Sequence, residues 1–349
     1  MKTADFDFRV PERLIPLMPP ELRGERREHA RMVVLRRAEK RIEHDRFDHL
    51  GAHLRPGDVL VVNDTLIVHD QLRGWNRRGA FKLILFGHHA DGWYAAVRPA
   101  SRARPGLVIK FGYGELKAEL LKQTIGDLWL VRFEYADCFD FYELIMEHGE
   151  RNLPLYKPMQ ERMDAYDNVY GREPGSLELP SAGLHFTDEL LRRLRREGIK
   201  VVALTLHIGL TELQRYRHIA EEEVEDHRVG AEWYRVKESA ARAINGARRR
   251  GGRVVAVGTS VVRALETVAA ETKTGTRVRA CEGWTDLYIY PGHRYKVVDA
   301  MLTNLHEPRS SHLLLVAAFA GREFTLEAYR EVVRAQYRFD LFGDSMLIL

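Results

Sequence analysis

Two histidines flank one predicted helix–strand unit in the middle of the chain. His185 precedes a helix that Thr187 would cap, and His207 ends the apolar strand that follows the helix. Imidazole exchanges protons near neutral pH, and the carboxyl ends of strands hold ligands in open α/β sheets. The pair therefore predicts a site for proton transfer, with the small loop at Gly183 open to close approach. The alternative is one histidine in a capping loop and one in the core.

A second cluster, Gly258-Thr259-Ser260, separates the predicted strand V-V-A-V from a predicted helix. Glycine permits close approach of the backbone, and first-turn N–H groups and hydroxyls bind phosphate or carboxylate. Arg263 and Glu266 lie one turn apart on that helix, so they can share a face. The cluster indicates an anion site. The alternatives are a helix cap for Gly-Thr-Ser and a surface ion pair for the arginine and the glutamate.

Polar residues also lie at the ends of other predicted strands. In chain order they are Asn63, Asp64, Tyr290, Gly292, Asp299, Thr303, Asn304 and His306. If these strand ends meet at one edge of a sheet, they form one shared pocket. The residues that we expect to carry its chemistry are Asp64, His185, His207, Asp299 and His306.

The strand and helix patterns divide the chain into two kinds of region. Residues 1–65 and 153–349 alternate strands with helices, which predicts an α/β domain with a mostly parallel sheet covered on both faces. Residues 66–152 carry short strands separated by glycine turns, which predicts an inserted small antiparallel β-barrel domain. The elements expected in the last part include strands at 286–290 and 297–302 and helices at 237–250, 258–270 and 310–320.

The composition is that of an ordinary globular chain of 349 residues with a net charge of +4 and a pI of about 9.0. This mildly basic balance is compatible with nucleic acid as a partner. Cys138 and Cys281 make no disulfide framework and no metal spacing, so we expect a cytoplasmic protein without a metal. No membrane association is expected, and the oligomeric state is left open. The lack of Walker A and G-x-G-x-x-G sequences argues against a nucleoside triphosphatase or an ordinary dinucleotide enzyme.

The polar clusters and the motifs around them resemble the S-adenosylmethionine:tRNA ribosyltransferase-isomerase family of queuosine biosynthesis. The matching motifs run in order along essentially the whole chain: L-R-P-G-D-V-L-V-V-N-D-T (54–65), A-G-L-H-F-T (182–187), T-L-H-I-G-L (205–210), A-V-G-T-S-V-V-R-A-L-E (256–266), D-L-Y-I-Y-P-G (286–292), D-A-M-L-T-N-L-H (299–306) and Y-R-F-D-L-F-G-D-S-M-L-I (337–348). The resemblance implies an α/β domain interrupted by a small β-barrel, in agreement with the element pattern.

The resemblance also implies a reaction. The ribosyl part of S-adenosylmethionine, the co-substrate, moves to the aminomethyl group of a 7-deazaguanine in tRNA and becomes an epoxycyclopentane, while adenine and methionine leave. A base must remove a proton beside the sulfonium, for which the candidates are His185, His207 and His306, with Asp299 or Asp64 orienting one of them or holding the ammonium. The candidates for binding the co-substrate are Asn63, Asp64, Gly183, Thr187, Gly258, Thr259, Arg263, Glu266, Tyr290, Gly292, Thr303 and Asn304, with Arg263 and the Gly258 helix start holding the methionine carboxylate.

The chain departs from the family pattern at positions near these motifs, namely Leu66, Glu212, Gly230 and Glu307. The two glutamates are expected to weaken RNA binding, because they would place negative charge where a polyanion approaches. Three hypotheses follow. The first is the family reaction on tRNA, the second is a paralogue with a different acceptor, such as a small molecule, and the third is a non-catalytic RNA-binding relative.

Overall fold

The computed structural model describes residues 1–124, 126–151, 165–209, 217–272 and 275–349, which form an α/β protein with mixed sheets. Its α-helices are α1 (Phe141–His148), α2 (Asp188–Arg196), α3 (Glu238–Arg249), α4 (Thr259–Val268), α5 (Ser311–Ala320) and α6 (Arg322–Arg334). Its strands are β1 (Arg31–Arg36), β2 (Arg41–Arg46), β3 (Val59–Asn63), β4 (Thr65–Ile67), β5 (Gln71–Asn76), β6 (Gly79–His89), β7 (Gly92–Arg98), β8 (Val108–Phe111), β9 (Leu116–Gln123), β10 (Leu128–Glu134), β11 (Gly149–Glu150), β12 (Glu173–Ser176), β13 (Lys200–Leu206), β14 (Glu232–Val236), β15 (Val254–Val257), β16 (Ala269–Thr272), β17 (Gly275–Val278), β18 (Cys281–Thr285), β19 (Ala300–Asn304) and β20 (Ser345–Ile348).

The larger sheet runs in the order β18-β14-β13-β3-β15-β19-β20-β1-β2. Its centre, β13-β3-β15-β19, is parallel, and β1 also pairs in parallel with β20. The pairings β14–β18, β13–β14, β19–β20 and β1–β2 are antiparallel. The sheet is therefore mixed rather than mostly parallel, and the parallel strands are confined mainly to the part that positions the site.

Both faces of this sheet are buried, as the alternation along β3 illustrates. Val59 and Val61 join the hydrophobic cluster that α3, α4, α5 and α6 form on one face. Leu60 and Val62 join the cluster on the other face, where α2 and Phe47 pack. All five residues of β3 are buried, which explains why this segment reads as a continuous apolar run instead of an alternating one.

The smaller sheet runs in the order β11-β5-β6-β7-β10-β9-β8 and is antiparallel throughout. A further pairing of Trp75 with Lys110 joins β5 to β8, so that six of its strands form a ring around their own hydrophobic cluster. A separate two-stranded parallel sheet pairs β4 with β12. The domain boundaries at 66 and 152 stay predictions, and residue 152 lies outside the described residues.

Two strands expected from the sequence differ in the structure, and side chains of α4 explain both differences. Residues 286–290 form no strand, and the Leu287 carbonyl accepts a hydrogen bond from the Arg263 guanidinium instead of from a strand partner. The strand expected at 297–302 begins only at Ala300, because the Glu266 carboxylate accepts the backbone N–H groups of residues 296–298. In both places a buried charged side chain replaces a strand partner.

The helix after His185 forms as its sequence predicts. Thr187 Oγ1 accepts the N–H of Leu190 at 3.2 Å and so caps α2. Leu190, Leu191 and Leu194 are buried against the larger sheet. Gly198, with a φ of +83°, ends the helix in a left-handed conformation and leads into β13.

Candidate active site

A pocket partly open to solvent lies at the carboxyl ends of β13, β15 and β19. This is the edge at which open α/β sheets bind ligands. The predicted site residues in its lining are Gly258, Thr259, Arg263, Thr303 and His306. Its other polar lining residues are Glu178, Ser181, Arg217, Glu232, Ser260, His312 and Asp340.

The amino terminus of α4 forms one wall of the pocket. Gly258 connects β15 to α4 with a φ of +90° and a ψ of 155°, a conformation that is essentially restricted to glycine. Its N–H donates to the Leu302 carbonyl at 2.7 Å, which ties the turn to β19. The first-turn N–H groups of a helix attract anions, and Thr259 and Ser260 add hydroxyls at the same place. This wall can therefore bind a carboxylate or a phosphate.

His306 and Thr303 lie on the β19 side of the pocket. Thr303 Oγ1 is 2.9 Å from His306 Nε2, and the backbone N–H of His306 donates to Tyr329 Oη at 3.0 Å. The His306 ring stacks on that of His312, with ring centroids 5.2 Å apart. These contacts hold an imidazole in a fixed orientation at the pocket, which suits proton transfer to or from a ligand.

Arg263 reaches the pocket, but its guanidinium is engaged by the protein. It forms a buried ion pair with Glu232 and donates to the carbonyls of Leu287 at 3.0 Å and of Gly230 and Thr285 at 3.2 Å each. The other oxygen of Glu232 accepts the N–H of Gly209 at 3.0 Å. The prediction that Arg263 binds a ligand carboxylate therefore does not fit its contacts. Arg263 instead positions Glu232 at the pocket.

His207 lies outside the pocket, at the contact between the two large sheets. Its ring stacks between His88 and Trp233, at centroid distances of 5.1 and 5.0 Å, and its Nδ1 is 2.8 Å from Thr65 Oγ1. Burial, together with repulsion from His88 and Arg235, lowers the pKa of His207 to about 3. His207 is thus a neutral packing residue in this arrangement, and the sequence prediction of a catalytic role does not match its position.

His185 is also away from the pocket lining, in the core beneath α2. Its Nε2 is 3.3 Å from Asn304 Oδ1, and its Nδ1 is 3.4 Å from the carbonyl of Arg27. Burial lowers the pKa of the His185 imidazole. Asn304 in turn donates to the carbonyls of Asp340 and Leu341 at 2.9 and 3.1 Å. Both residues therefore position the loop that precedes β20, and that loop lines the pocket.

Asp299 and Glu266, which the sequence predicted to be site residues, are absent from the pocket lining. Because β19 begins at Ala300, Asp299 lies at the amino end of the strand, on the opposite edge of the sheet, where its carboxylate accepts the N–H of Val254 at 2.8 Å. Glu266 accepts the three backbone N–H groups of residues 296–298 at 2.8 to 3.1 Å. Burial alone would raise the pKa of Glu266, but the His293 ring, whose Nε2 is 3.7 Å from the carboxylate, and the hydrogen bonds from this backbone lower it overall.

The remaining predicted residues hold the scaffold around the site. Asn63 links β3 to β13 by accepting the N–H of Leu206 at 3.0 Å and donating to its carbonyl at 2.9 Å. Asp64 accepts the Thr205 hydroxyl at 2.7 Å, and burial raises the pKa of its carboxyl. Thr187 caps α2, and Gly183 packs under Tyr170. Tyr290 and Gly292 are absent from the pocket lining.

Comparison with known proteins gives a consistent result. The family model described as "Queuosine biosynthesis protein" matches residues 3–348. The chain belongs to this family. The S-adenosylmethionine:tRNA ribosyltransferase-isomerases of Symbiobacterium thermophilum and Moorella thermoacetica are 43% and 44% identical to it, over the full length of both chains. The crystal structure of the S-adenosylmethionine tRNA ribosyltransferase of Thermotoga maritima matches with a TM-score of 0.57 and 34% identity, covering 99% of this chain and all of the other.

The structure describes three of the four departures from the family pattern that are named above. Glu307 is 3.3 Å from Arg217 Nη2 and 3.2 Å from His218 Nε2, so its charge is compensated within the protein. Gly230 contributes its carbonyl to Arg263, and Leu66 lies half-buried in β4. Glu212 lies outside the described residues. The expectation that Glu307 repels a polyanion does not fit its ion pair with Arg217.

Several pocket residues escaped the sequence analysis because their partners are remote in the chain. Arg217 pairs with Asp340, and Glu178 and Ser181 come from the loop before α2. Asp340 lies in the Y-R-F-D-L-F-G-D motif that the queuosine biosynthesis family shares, and this is the signal that could have singled it out.

No group of three or more His, Cys, Asp or Glu in the described ranges is arranged to hold a metal ion. None of the described helices combines the length and apolarity that a membrane crossing requires.

Proposed function

We propose that this protein is an S-adenosylmethionine:tRNA ribosyltransferase-isomerase that works at the pocket of α4. It transfers and isomerises the ribosyl part of S-adenosylmethionine onto 7-aminomethyl-7-deazaguanine in tRNA, yielding epoxyqueuosine in tRNA, adenine and methionine. The observation that carries the proposal is a single pocket with a helix amino terminus, acidic side chains and an oriented histidine, in a chain whose full-length relatives bear that name.

The lining suits the charges of S-adenosylmethionine. The co-substrate carries a carboxylate, which the first-turn N–H groups and hydroxyls at Thr259 and Ser260 would bind. It also carries an ammonium and a sulfonium, and carboxylates attract both. Glu178 supplies a carboxylate to the same pocket, and so do Glu232 and Asp340, which are paired with Arg263 and Arg217. Among them, Glu232 is held in place by its ion pair with Arg263.

His306 is the group that we assign to proton transfer. The sulfonium acidifies the neighbouring ribose carbon, so a base with access to that carbon starts the isomerisation. His306 lines the pocket and is oriented through Thr303, whereas His185 and His207 are held in the core. His312 stacks on His306 and also lines the pocket, so it is the second candidate, for proton delivery to the departing adenine.

The inserted barrel domain, the cellular location and the partners are parts of the same proposal. Residues 66–152 would be an inserted antiparallel barrel, which the ring of six strands around a separate hydrophobic cluster supports. A protein that modifies tRNA with S-adenosylmethionine would work in the cytoplasm. Its partners would be tRNA and S-adenosylmethionine, with no metal taking part.

Mass spectrometry of the tRNA tests the proposed reaction. The protein is incubated with S-adenosylmethionine and either tRNA bearing the aminomethyl-deazaguanine, the same tRNA with guanine, or no tRNA. We expect the modified tRNA alone to gain the epoxycyclopentane group, with one adenine released per transfer. Adenine release with a small-molecule acceptor but not with this tRNA would support the paralogue hypothesis. No adenine release with any acceptor would indicate a non-catalytic relative.

A further inference from the structure

A patch of cations and aromatic rings lies at the turn between β5 and β6. Arg77 and Arg78 form the turn and are exposed, and Arg102 Nη1 donates to the carbonyl of Arg78 at 3.2 Å. Lys110 Nζ lies 5.5 Å from the centroid of the Trp75 ring. We call this set the basic aromatic patch; its members are Trp75, Arg77, Arg78, Arg102, Lys110 and Tyr113.

The cations of the patch carry charge that the protein does not neutralise. Within the residues that the structure describes, no carboxylate lies at ion-pair distance from Arg77, Arg78, Arg102 or Lys110. Other arginines of the same sheet are paired, as Arg73–Glu150, Arg98–Asp127 and Arg132–Glu119 show. The patch therefore presents a concentrated positive field, which is what a chain of phosphates binds.

Two aromatic rings stand beside these cations in solvent. Trp75 is 46% exposed, and Tyr113 is fully exposed in the turn after β8. The flanking Gly112 and Gly114 have φ values of +58° and +105°, so the turn is built to hold Tyr113 outward. Exposed aromatic rings beside arginine and lysine are the features of surfaces that bind nucleic acid by stacking and charge together.

The patch is too far from the pocket for a small ligand to contact both. The strand β6 runs from the patch at Gly79 to His88, which stacks on His207 at the contact between the sheets. At about 3.3 Å per residue, this separates the patch from the pocket's end of the molecule by about 30 Å. A ligand that reaches both places must be a macromolecule with an anionic backbone.

We infer that the basic aromatic patch binds the tRNA whose modified base enters the pocket, by contacts to backbone phosphates and by stacking on Tyr113 and Trp75. This rests on the proposed function, because it takes its ligand from that function. The patch then contributes to the affinity for tRNA and to its orientation, whereas the reaction takes place at the pocket. Its loss should raise the KM for tRNA without changing turnover at saturating tRNA or the affinity for S-adenosylmethionine.

The salt dependence of tRNA binding tests the charge of the patch. Arg77→Ala/Arg78→Ala should weaken tRNA binding about tenfold near physiological salt and reduce the slope of log affinity against log salt by about one to two. The matched control is Arg249→Ala/Arg250→Ala, an exposed pair at the end of α3 on the sheet edge opposite the pocket, which should change neither value. Equal tRNA affinity and equal slope for the turn variant and the parent would overturn the inference.

A second pair of variants tests stacking separately. Tyr113→Ala should weaken tRNA binding by about fivefold or more, whereas Tyr113→Phe, which keeps the ring, should bind like the parent. Equal weakening by both variants, or by neither, would argue against stacking. The two proposals can fail separately. If the parent modifies tRNA and the patch variants match it, only the patch is wrong; if the parent neither binds nor modifies tRNA, the proposed function is wrong.

Discussion

At the scale of single residues, the buried pair Glu232–Arg263 fixes one acidic wall of the pocket. Both side chains are buried, and the arginine also binds three backbone carbonyls. Arg263→Ala should lower the free energy of unfolding by about 3–5 kcal/mol, since it leaves a carboxylate buried without its cation. Urea denaturation measures this, with exposed Arg192→Ala as the control. A loss below about 1 kcal/mol would contradict the buried-pair account.

The same pair shows why the contacts of Arg263 differ from those that the sequence pattern suggested. An arginine one turn into a helix after Gly-Thr-Ser has the position of an anion ligand, and that local pattern is present. Its partner Glu232 lies 31 residues away, on a strand that the sequence pattern did not reveal. The strand expected to begin at residue 297 likewise begins three residues later, at Ala300, and Asp299 lies at its amino end, on the edge of the sheet opposite the pocket. Local signals predicted the caps and turns, whereas pairing between distant segments decided which residues meet.

At the scale of elements, the turn from β15 into α4 should control co-substrate binding. Gly258→Ala would place a side chain in a glycine-only conformation at a cost of about 1–3 kcal/mol and shift the first turn of α4. We expect about tenfold or greater loss of S-adenosylmethionine affinity by calorimetry, since charged hydrogen bonds there contribute about 1.5–3 kcal/mol. Gly251→Ala, also at positive φ but on the opposite edge of the sheet, should lose stability without losing this affinity. Unchanged affinity in the Gly258 variant would rule out this anion site.

An element could be predicted from the sequence where adjacent residues determine it, and not where pairing with a distant segment does. The end of β3, the start of α2 at Thr187 and the start of α5 at Ser310 depend on adjacent residues, so the sequence placed them. The outer strands β14 and β18 form by pairing with each other and with β13, and their own sequences carry a weak pattern. The mixed character of the sheet was therefore missed, although its parallel centre was expected.

At the scale of the whole molecule, neutral histidines join the two large sheets. Burial lowers the pKa of His88 to about 4 and, with His88 and Arg235, that of His207 to about 3. In the unfolded chain both would titrate near 6.5, so below that pH the unfolded state binds more protons and the folded state loses stability. The loss should be roughly 2 kcal/mol for each histidine between pH 7 and pH 5. His88→Phe should reduce by about one the number of protons taken up on unfolding at low pH, and so flatten the dependence of the unfolding free energy on pH. An unchanged pH slope would contradict the claim that the buried His88 causes this dependence.

The central claim for the molecule is that the pocket at α4 binds S-adenosylmethionine and that His306 moves the proton. The most direct test is the single-turnover rate of adenine release by His306→Gln with tRNA bearing the aminomethyl-deazaguanine. We predict a rate at least about a hundredfold below that of the parent, as expected for loss of a general base. The affinity for S-adenosylmethionine, measured by calorimetry, should stay within about threefold. Release at the parent's rate would contradict the assignment of His306.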